Sequence, residues 1–328
     1  MVANPMVSVV MITYNHELFI EESLLSILNQ ETSFEYEIIV GNDRSTDKTD
    51  DVIQNILKNH PKAYRVRYYN NNPNLGVTPN SKKALDMVEG KYMALCEGDD
   101  FWIDEQKLQK QVDFLELNED FAICFHNTRV DFFDQKAPSY YVNENIEKDV
   151  FTLDDMIGED EIWFTATASL MIRSSAYGKT PDWFLTSKSG DIPIIILAAR
   201  NGKIKYLPDV MAVYRKNLAS FSHTDSHEDK SFLWNRVFMY EKLNAETGFK
   251  YNKRLKRNIA RYYYMLLNSV QYRNRYFRNF PIIFKYILLT FPNVPNLKLL
   301  IRDHMLPPFV MGGFRSIKKA FGLIPSES

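Results

Sequence analysis

Short runs of apolar residues alternate along the chain with segments in which apolar residues recur every three or four positions. The runs are Val7–Thr13, Tyr36–Val40, Tyr64–Tyr69 and Lys91–Cys96, and the periodic segments are Glu17–Gln30, Val52–Leu57 and Asn80–Val88. Short apolar runs are typical of buried strands, and the longer spacing is typical of helices with one apolar face. The pattern predicts βαβ units and a mainly parallel, Rossmann-like sheet flanked by helices, in the α/β class.

Polar loops follow three of these predicted strands. Thr13-Tyr14-Asn15 follows the first strand, Asp43 the second, and Glu97-Gly98-Asp99-Asp100 the fourth. Ligands of such sheets bind beyond the carboxyl ends of the strands. We therefore expect the three loops to converge on one binding face.

The loop Glu97–Asp100 places three carboxylates within four residues. Such a cluster repels itself unless a cation lies among its oxygens, and a hard divalent ion shared with substrate phosphates fits this crowding. The alternative is an acidic turn that caps the helix beginning near Asp104. Convergence of the loops favours a metal–diphosphate site with Mn²⁺ or Mg²⁺.

Length and composition limit the classes of protein that fit. With 328 residues, of which 45% are hydrophobic and 25% charged, the chain can form one large domain with an appendage or two small domains. Cys96 and Cys124 both lie in apolar runs, so no disulfide framework is indicated and a reducing, cytoplasmic compartment is favoured. Asn15-His16-Glu17 interrupts the first apolar run, so we expect no secretion signal.

The net charge of −1 conceals a basic tail. Residues 250–328 contain 15 Lys or Arg and two acids, which leaves 25 basic and 39 acidic residues before them. Ser231–Val270 has helical spacing, and Phe280–Phe291 is strongly apolar but shorter than the ~20 residues that span a bilayer. Residues 272–328 are thus typical of an interfacial segment on an anionic membrane. The alternative is a helical appendage that packs on the catalytic domain or on a second subunit, so a homo-oligomer remains open.

Six ordered segments make the chain, over residues 7 to about 222, resemble a family 2 glycosyltransferase of the GT-A fold. They are Val7–Asn15, Asn42–Asp47, Asn74–Gly76, Glu97–Asp100, Gly190–Asp191 and Val213–Arg215. The resemblance, to the bacterial cell-surface polysaccharide type, implies a catalytic domain over 1–225. Its nucleotide-sugar half is about 1–100, its acceptor half is about 101–225, and a helical, basic region follows over 226–328.

The resemblance also implies an activity. The enzyme would move a hexosyl or N-acetylhexosaminyl group from a nucleoside diphosphate sugar, with a UDP-sugar favoured, to a hydroxyl of a growing glycan, and invert the anomeric centre. A lipid-linked acceptor would suit a protein that lies peripherally on the inner face of the cell membrane.

By the same resemblance, Asp99 is the expected metal ligand and Glu97 a ribose or metal contact. The family usually has Asp where this chain has Glu97. Asp43 matches the carboxylate that contacts the nucleobase, and Tyr14 is placed to pack on the base, although it could instead close the sheet edge. The implied nucleotide-sugar set is Thr13, Tyr14, Asn15, Asp43, Asn80, Glu97, Gly98, Asp99 and Arg215.

The reaction also needs a base, because a sugar hydroxyl is a poor nucleophile. Ser189-Gly190-Asp191 precedes the predicted helix 192–200 and matches the family motif, which favours Asp191 as catalytic base over a helix N-cap. Arg215 could contact the leaving diphosphate. A histidine often follows this segment in the family where Asn217 stands here, so His223 is a candidate metal ligand, or else a solvated loop residue.

Acceptor recognition is predicted from aromatic and hydroxyl side chains. Trp102, Trp163 and Thr165 are the candidates, and core packing is the alternative for each tryptophan. Tyr140–Asp149 is polar and lacks a clear period, as in a mobile loop over a site.

Three other functions remain open. A nucleic-acid-binding protein would explain the basic tail but not the acidic loops, so no nucleic acid is expected. A metal-dependent nucleotidyltransferase would release pyrophosphate from a triphosphate. A catalytically silent relative would bind nucleotide sugar without hydrolysing it.

Overall fold

The computed structural model describes residue 2 and the ranges 4–133, 137–157, 164–216, 229–273 and 275–305. The chain divides into two compact units, Met1–Thr224 and Asp225–Ser328. The boundary lies close to the end of the predicted catalytic domain at residue 225.

The first unit is built from ten strands and seven helices in its described part. The strands are β1 Val7–Thr13, β2 Tyr36–Asn42, β3 Val66–Asn70, β4 Tyr92–Leu95, β5 Phe101–Trp102, β6 Phe121–Phe132, β7 Tyr140–Tyr141, β8 Val150–Phe151, β9 Met171–Arg173 and β10 Lys203–Lys216. The helices are α1 Ile20–Leu28, α2 Thr49–Asn59, α3 Val77–Asp86, α4 Lys107–Leu117, α5 Leu153–Met156, α6 Ser174–Tyr177 and α7 Asp191–Ala199.

These strands form one mixed, mostly parallel sheet with the order β3-β2-β1-β4-β9-β6-β10-β5. The strands β3, β2, β1 and β4 are parallel neighbours, as are the long strands β6 and β10. Short β9 runs antiparallel between β4 and β6 and joins the two parallel groups. The predicted α/β class and parallel character are confirmed. The antiparallel strands β5, β7 and β8 were not predicted, because two-residue strands leave no periodic signal.

The central strands are buried on both faces, which explains their unbroken apolar sequence. Six of the seven residues of β1 and all of β2 are buried. Helix α1 covers one face with Leu24 and Ile27, both fully buried. The sheet therefore forms a rigid layer, and the loops at its carboxyl edge extend from a packed core.

Helix α7 is an interior helix. Every residue from Ile192 to Ala199 is buried, whereas Asp191 at its first position is exposed. An almost wholly apolar helix cannot shift without exposing its side chains to water. Asp191 is therefore the exposed, polar N-terminal residue of an otherwise buried helix.

The second unit is helical. Its helices are α8 Lys230–Glu246, α9 Asn252–Asn268, α10 Phe280–Thr290 and α11 Leu297–Leu300, with a 3₁₀ turn at Tyr276–Asn279 and a π-helical turn at Ile301–Met305. The predicted helical stretch 231–270 is interrupted, because Gly248 and Phe249 both adopt positive φ between α8 and α9. Among the described residues, no helix is both long and apolar enough to cross a bilayer.

A lysine is buried in the core of the first unit. Lys107 on α4 has no exposed side-chain surface, donates to Gln111 Oε1 at 2.8 Å and places Nζ 4.0 Å from the centre of the Trp102 ring. Burial disfavours its charged form and lowers the pKa of Lys107 to about 7, against partial compensation from Cys96 and Cys124.

This lysine should make folding stability depend on pH. The unfolded chain keeps the proton up to the ordinary pKa of 10.5, while the folded chain loses it near 7, so between these values the unfolded state binds more protons and stability rises with pH. From pH 7.0 to 8.5 we expect Lys107 to add about 1–1.5 kcal/mol to the free energy of unfolding, measured by urea denaturation. Lys107→Met should lack this rise, and Lys179→Met, at an exposed site, should keep it. An unchanged slope in Lys107→Met would show that the residue does not titrate in this window.

Candidate active site

The first two loops at the carboxyl edge are tied together. Asn15 adopts a left-handed φ of 56°, accepts from Thr46 N at 2.8 Å and donates its own N–H to Ser45 Oγ at 3.0 Å. Asn15 therefore aligns the loop after β1 with the loop after β2. Tyr14 beside it is 44% exposed, so its ring is open to a planar ligand.

Asp43 after β2 holds the loop that follows β3. Its Oδ1 accepts from Asn71 Nδ2 and Leu75 N, both at 2.9 Å, and its Oδ2 accepts from Gly76 N at 2.7 Å. The residue is only 3% exposed. Because a carboxylate oxygen has two lone pairs, Oδ2 is the atom that can still accept from a nucleobase.

Asn80 on α3 is a brace beneath this loop. Its Nδ2 donates to Gly41 O at 2.8 Å, and its Oδ1 accepts from Asn71 Nδ2 and Tyr69 OH at 2.9 and 3.1 Å. A Cβ on Gly41 would lie 2.4 Å from Tyr69 OH, so the brace needs glycine there. The side chain of Asn80 is buried and paired within the framework, as that of Asp43 is, and its contact with the nucleotide sugar stays a prediction.

The acidic loop is held close to the first strand and to α1. Gly98 N donates to Ile12 O, and Gly98 O accepts from Ser23 Oγ, both at 3.0 Å. A Cβ on Gly98 would lie 2.6 Å from Thr13 Oγ1, a buried hydroxyl with no partner. Glycine is thus required at this position for the loop to pack on Thr13.

The carboxylates of this loop differ in environment. Asp100 is 2% exposed, and its Oδ1 accepts from Arg215 N at 2.9 Å, so it fixes the loop to β10. Desolvation, followed by the charges of Asp99 and Glu97, raises the pKa of Asp100 well above its usual range. Asp99 remains partly exposed. Asp100 therefore orients the loop, while Asp99 faces the open side.

Glu97 is the electrostatic link between the acidic loop and α7. Desolvation, then the charge of Asp99 and then that of Asp191, raises the pKa of Glu97 to about 8. Asp191 is therefore near enough to interact with the acidic loop, although 92 residues separate it from Asp99 in sequence. Carboxylates that crowd in this way favour a proton or a cation among them.

His16 is a site residue that sequence reasoning missed. Its Nε2 lies 3.9 Å from Asp99 Oδ2, and its Nδ1 is buried without a partner. The run Asn15-His16-Glu17 served in sequence only to exclude a secretion signal. Its position three residues beyond the end of β1 was the signal that could have found it.

Arg215 has a structural role in addition to the phosphate contact predicted for it. Its NH1 donates to Asp99 O at 2.8 Å, its NH2 pairs with the Glu22 carboxylate, and its guanidinium lies 4.1 Å from the centre of the Phe101 ring. The side chain is 8% exposed. These contacts use two of the five guanidinium N–H donors, so the phosphate contact stays a prediction. Arg215 clamps the acidic loop to α1.

Asp191 is the first residue of α7, with Gly190 in the N-cap position. Its Oδ1 accepts from Ser189 Oγ at 2.9 Å and from Ile192 N at 2.8 Å. The preceding segment is tied to α3, because Thr78 Oγ1 donates to Ser187 O at 2.8 Å. Asp191 is therefore not the N-cap that the alternative interpretation required, and its carboxylate faces solvent.

The acceptor candidates fall into three groups. Trp102 is 4% exposed, donates Nε1–H to Ala168 O at 3.0 Å and is covered by Lys107, so the prediction that it binds a sugar is corrected to core packing. Thr165 has an unpartnered Oγ1 and stays a candidate. Trp163 lies outside the described residues, as does the candidate metal ligand His223.

The segment Tyr140–Asp149 begins as a strand rather than as a free loop. Tyr140 and Tyr141 form β7, which pairs antiparallel with β6. Asn143 is buried and donates Nδ2–H to Phe164 O at 2.9 Å. This end of the predicted loop is anchored to the sheet.

The donor set around Asp99 fits a divalent cation of the hard class. Asp99 offers carboxylate oxygens, with Glu97 and His16 beside it. Carboxylates suit Mg²⁺ and Mn²⁺, and the imidazole adds preference for Mn²⁺. Within the described ranges, no three His, Cys, Asp or Glu side chains form a ready-made cation site. Substrate oxygens would therefore have to complete the coordination.

Comparison with known proteins agrees with this geometry. Residues 8–180, more than half of the chain, match the model of glycosyl transferase family 2. The chain belongs to this family. The expected GT-A fold is confirmed by the crystal structure of S. aureus TarS 1–349 with UDP-GlcNAc, which matches with a TM-score of 0.59 and 17% identity over 88% of this chain and 82% of that one.

Two relatives in sequence have different coverage. An uncharacterized protein of Mycobacterium tuberculosis is 32% identical over 234 residues, 69% of this chain. The match spans 63% of that relative, less than two-thirds of its length. The GalNAc(5)-diNAcBac-PP-undecaprenol beta-1,3-glucosyltransferase of Campylobacter jejuni is 34% identical over 97 residues, which cover 29% of this chain and 30% of the relative.

Replacing Arg215 should loosen the acidic loop without any ligand. Arg215→Met removes the hydrogen bond to Asp99 O and the pair with Glu22, so we expect amide hydrogen exchange of residues 97–100 to accelerate and the free energy of unfolding to fall by about 1–3 kcal/mol. Lys216 at the next position donates Nζ–H to Tyr140 OH and not to the acidic loop, so Lys216→Met should leave the loop unchanged. Unaltered exchange in Arg215→Met would contradict the clamp.

Proposed function

We propose that this protein is an inverting glycosyltransferase that uses a nucleoside diphosphate sugar, with a UDP-sugar favoured, and transfers a hexosyl or N-acetylhexosaminyl group to a hydroxyl of a growing glycan. The observation that carries the proposal is a family 2 glycosyltransferase match together with two acidic groups on separate loops of the first unit, Glu97–Asp100 and Asp191. One loop carries a crowded acidic cluster, and the other presents a single exposed carboxylate. A donor held by the first would have its anomeric carbon facing the second.

Asp191 is the catalytic base in this proposal. Its exposed carboxylate, held by Ser189 Oγ and by a buried helix, can take the proton of an acceptor hydroxyl as the glycosidic bond breaks. Because the base is fixed on a rigid element, acceptor geometry is set before the reaction begins.

Asp99 is the first metal ligand in this proposal, with Glu97 and His16 as supporting groups and His223 as a further candidate outside the described residues. A bound Mn²⁺ or Mg²⁺ would neutralise the charge that develops on the leaving diphosphate. Arg215 keeps Asp99 in place through its backbone carbonyl. Desolvation and the charges of Asp99 and Asp191 raise the pKa of Glu97 to about 8, and a bound cation would favour its ionised form.

The nucleotide end of the donor would lie on Tyr14, Asn15 and Asp43. Tyr14 offers an exposed ring for stacking, and Asp43 Oδ2 can accept from the base. Gly98 of the acidic loop packs closely against Thr13 beside this proposed nucleotide position.

A lipid-linked acceptor is supported by the name of the Campylobacter relative, whose acceptor carries an undecaprenyl diphosphate.

Substitution of two aspartates, Asp99 and Asp191, should separate donor binding from transfer. Asp99→Asn should weaken cation-dependent binding of the UDP-sugar by at least tenfold, because it removes ligand charge. Asp191→Asn should bind the donor normally but lower turnover by about 10²–10⁴-fold, which is the usual contribution of a general base. Calorimetric titration and release of UDP measure the two effects.

Asp182→Asn is the matched control, since Asp182 is an exposed acid in the same half of the first unit. It should change neither donor binding nor turnover. Normal turnover by Asp191→Asn would remove the proposed base. Release of pyrophosphate from a nucleoside triphosphate would favour a nucleotidyltransferase instead.

A further inference from the structure

Helix α10 presents an apolar stripe to solvent. The stripe consists of Phe277, Phe280, Phe284, Leu288 and Phe291, whose exposed fractions are 72, 43, 62, 61 and 75%. Successive members lie three, four, four and three residues apart, so they occupy one face of the helix and of the 3₁₀ turn that precedes it. Large side chains aligned in this way form a contiguous patch, unlike single exposed apolar residues.

The opposite face of the same helix is packed and fixed. Ile282, Ile283 and Tyr286 are buried, and α10 packs on α9. Tyr286 OH donates to Pro295 O at 2.8 Å, and its ring lies 5.5 Å from that of Tyr264. Pro281 lies in the first turn, where a helix tolerates it. The second unit already has its core, so the stripe is an additional apolar face.

The surroundings of the stripe are basic. Residues 247–302 contain twelve Lys or Arg and no Asp or Glu. Arg273, Arg275, Arg278 and Lys285 are exposed on and immediately before α10. Arg278 and Lys285 are seven residues apart, about two turns, and so share one flank of the stripe.

We propose that this stripe lies on an anionic lipid bilayer, with α10 parallel to the membrane surface and its phenylalanines inserted among the headgroups. An eleven-residue helix is about 16 Å long, roughly half of the ~30 Å hydrocarbon core, so it can lie on the membrane but not cross it. The apolar side chains would be buried among the lipids, and the arginines would pair with lipid phosphates. This inference goes beyond the proposed transfer reaction and does not depend on it.

Charge favours a bilayer over a second copy of the chain. In a two-fold dimer through the stripe, the same basic flanks would meet around the apolar seam, and residues 247–302 supply no carboxylate to pair with them. An anionic surface supplies those partners at every position. The basic flank therefore favours an anionic bilayer, rather than a second copy of the chain, as the surface that covers the stripe.

Sedimentation with lipid vesicles tests the apolar part. The full chain should bind vesicles of phosphatidylglycerol and phosphatidylcholine at low salt, and Phe284→Ser/Leu288→Ser should reduce the partition coefficient at least tenfold. Leu117→Ser, at an 85% exposed leucine of the first unit, is the control and should bind as the wild type does. Binding of UDP-sugar should be unchanged in both variants, which separates this test from that of the proposed function.

A charge-matched pair tests the basic part. Arg275→Gln/Arg278→Gln and Lys253→Gln/Lys256→Gln remove the same net charge from exposed positions, but only the first pair lies beside the stripe. The first should lose several-fold more vesicle binding than the second, and 0.5 M salt should reduce the difference. Equal losses would contradict a localised contact.

Two further outcomes would overturn the proposal. Equal binding to pure phosphatidylcholine would show that the basic flank has no part in it. A dimer in solution that dissociates in Phe284→Ser/Leu288→Ser would show that a second copy covers the stripe.

Discussion

The structure depends on one electrostatic constraint, the burial of carboxylates at the end of β4. Asp100 is almost completely buried, and Glu97 and Asp99 lie beside it. Three negative charges in so small a volume must be protonated, paired or bound to a cation. The backbone N–H of Arg215 donates to the Asp100 carboxylate, and the guanidinium of Arg215 donates to the Asp99 carbonyl. Asp99 itself stays partly exposed.

The elements around this loop keep its carboxylates close together. Gly98 lets the backbone lie against Thr13, and Ser23 on α1 holds the Gly98 carbonyl. The buried helix α7 then brings Asp191 from late in the chain to within electrostatic reach of Glu97. The sheet provides rigidity, while the loops provide charge. This division matches the way in which open α/β sheets carry ligand sites at their carboxyl edge.

Sequence reasoning predicted the elements that have a long periodic signal. The bounds of β1 agree with the apolar run Val7–Thr13, and the acidic loop and Asp191 lie where the motifs indicate. It could not separate a side chain at the surface of the site from one beneath it. Asn80 and Arg215 lie near the predicted site, but their polar atoms point into the framework, and only three-dimensional packing shows this. His16 was missed for the opposite reason, because a lone histidine in a loop has no pattern.

The central claim is that the acidic loop and Asp191 act on opposite sides of the anomeric carbon. Slow hydrolysis of an α-linked UDP-sugar, with water in place of the acceptor, tests it without knowledge of the acceptor. Proton NMR within the first minutes distinguishes the anomer that is released before mutarotation. The two-sided site predicts that the β-anomer forms first, with UDP. Initial release of the α-anomer would contradict the arrangement.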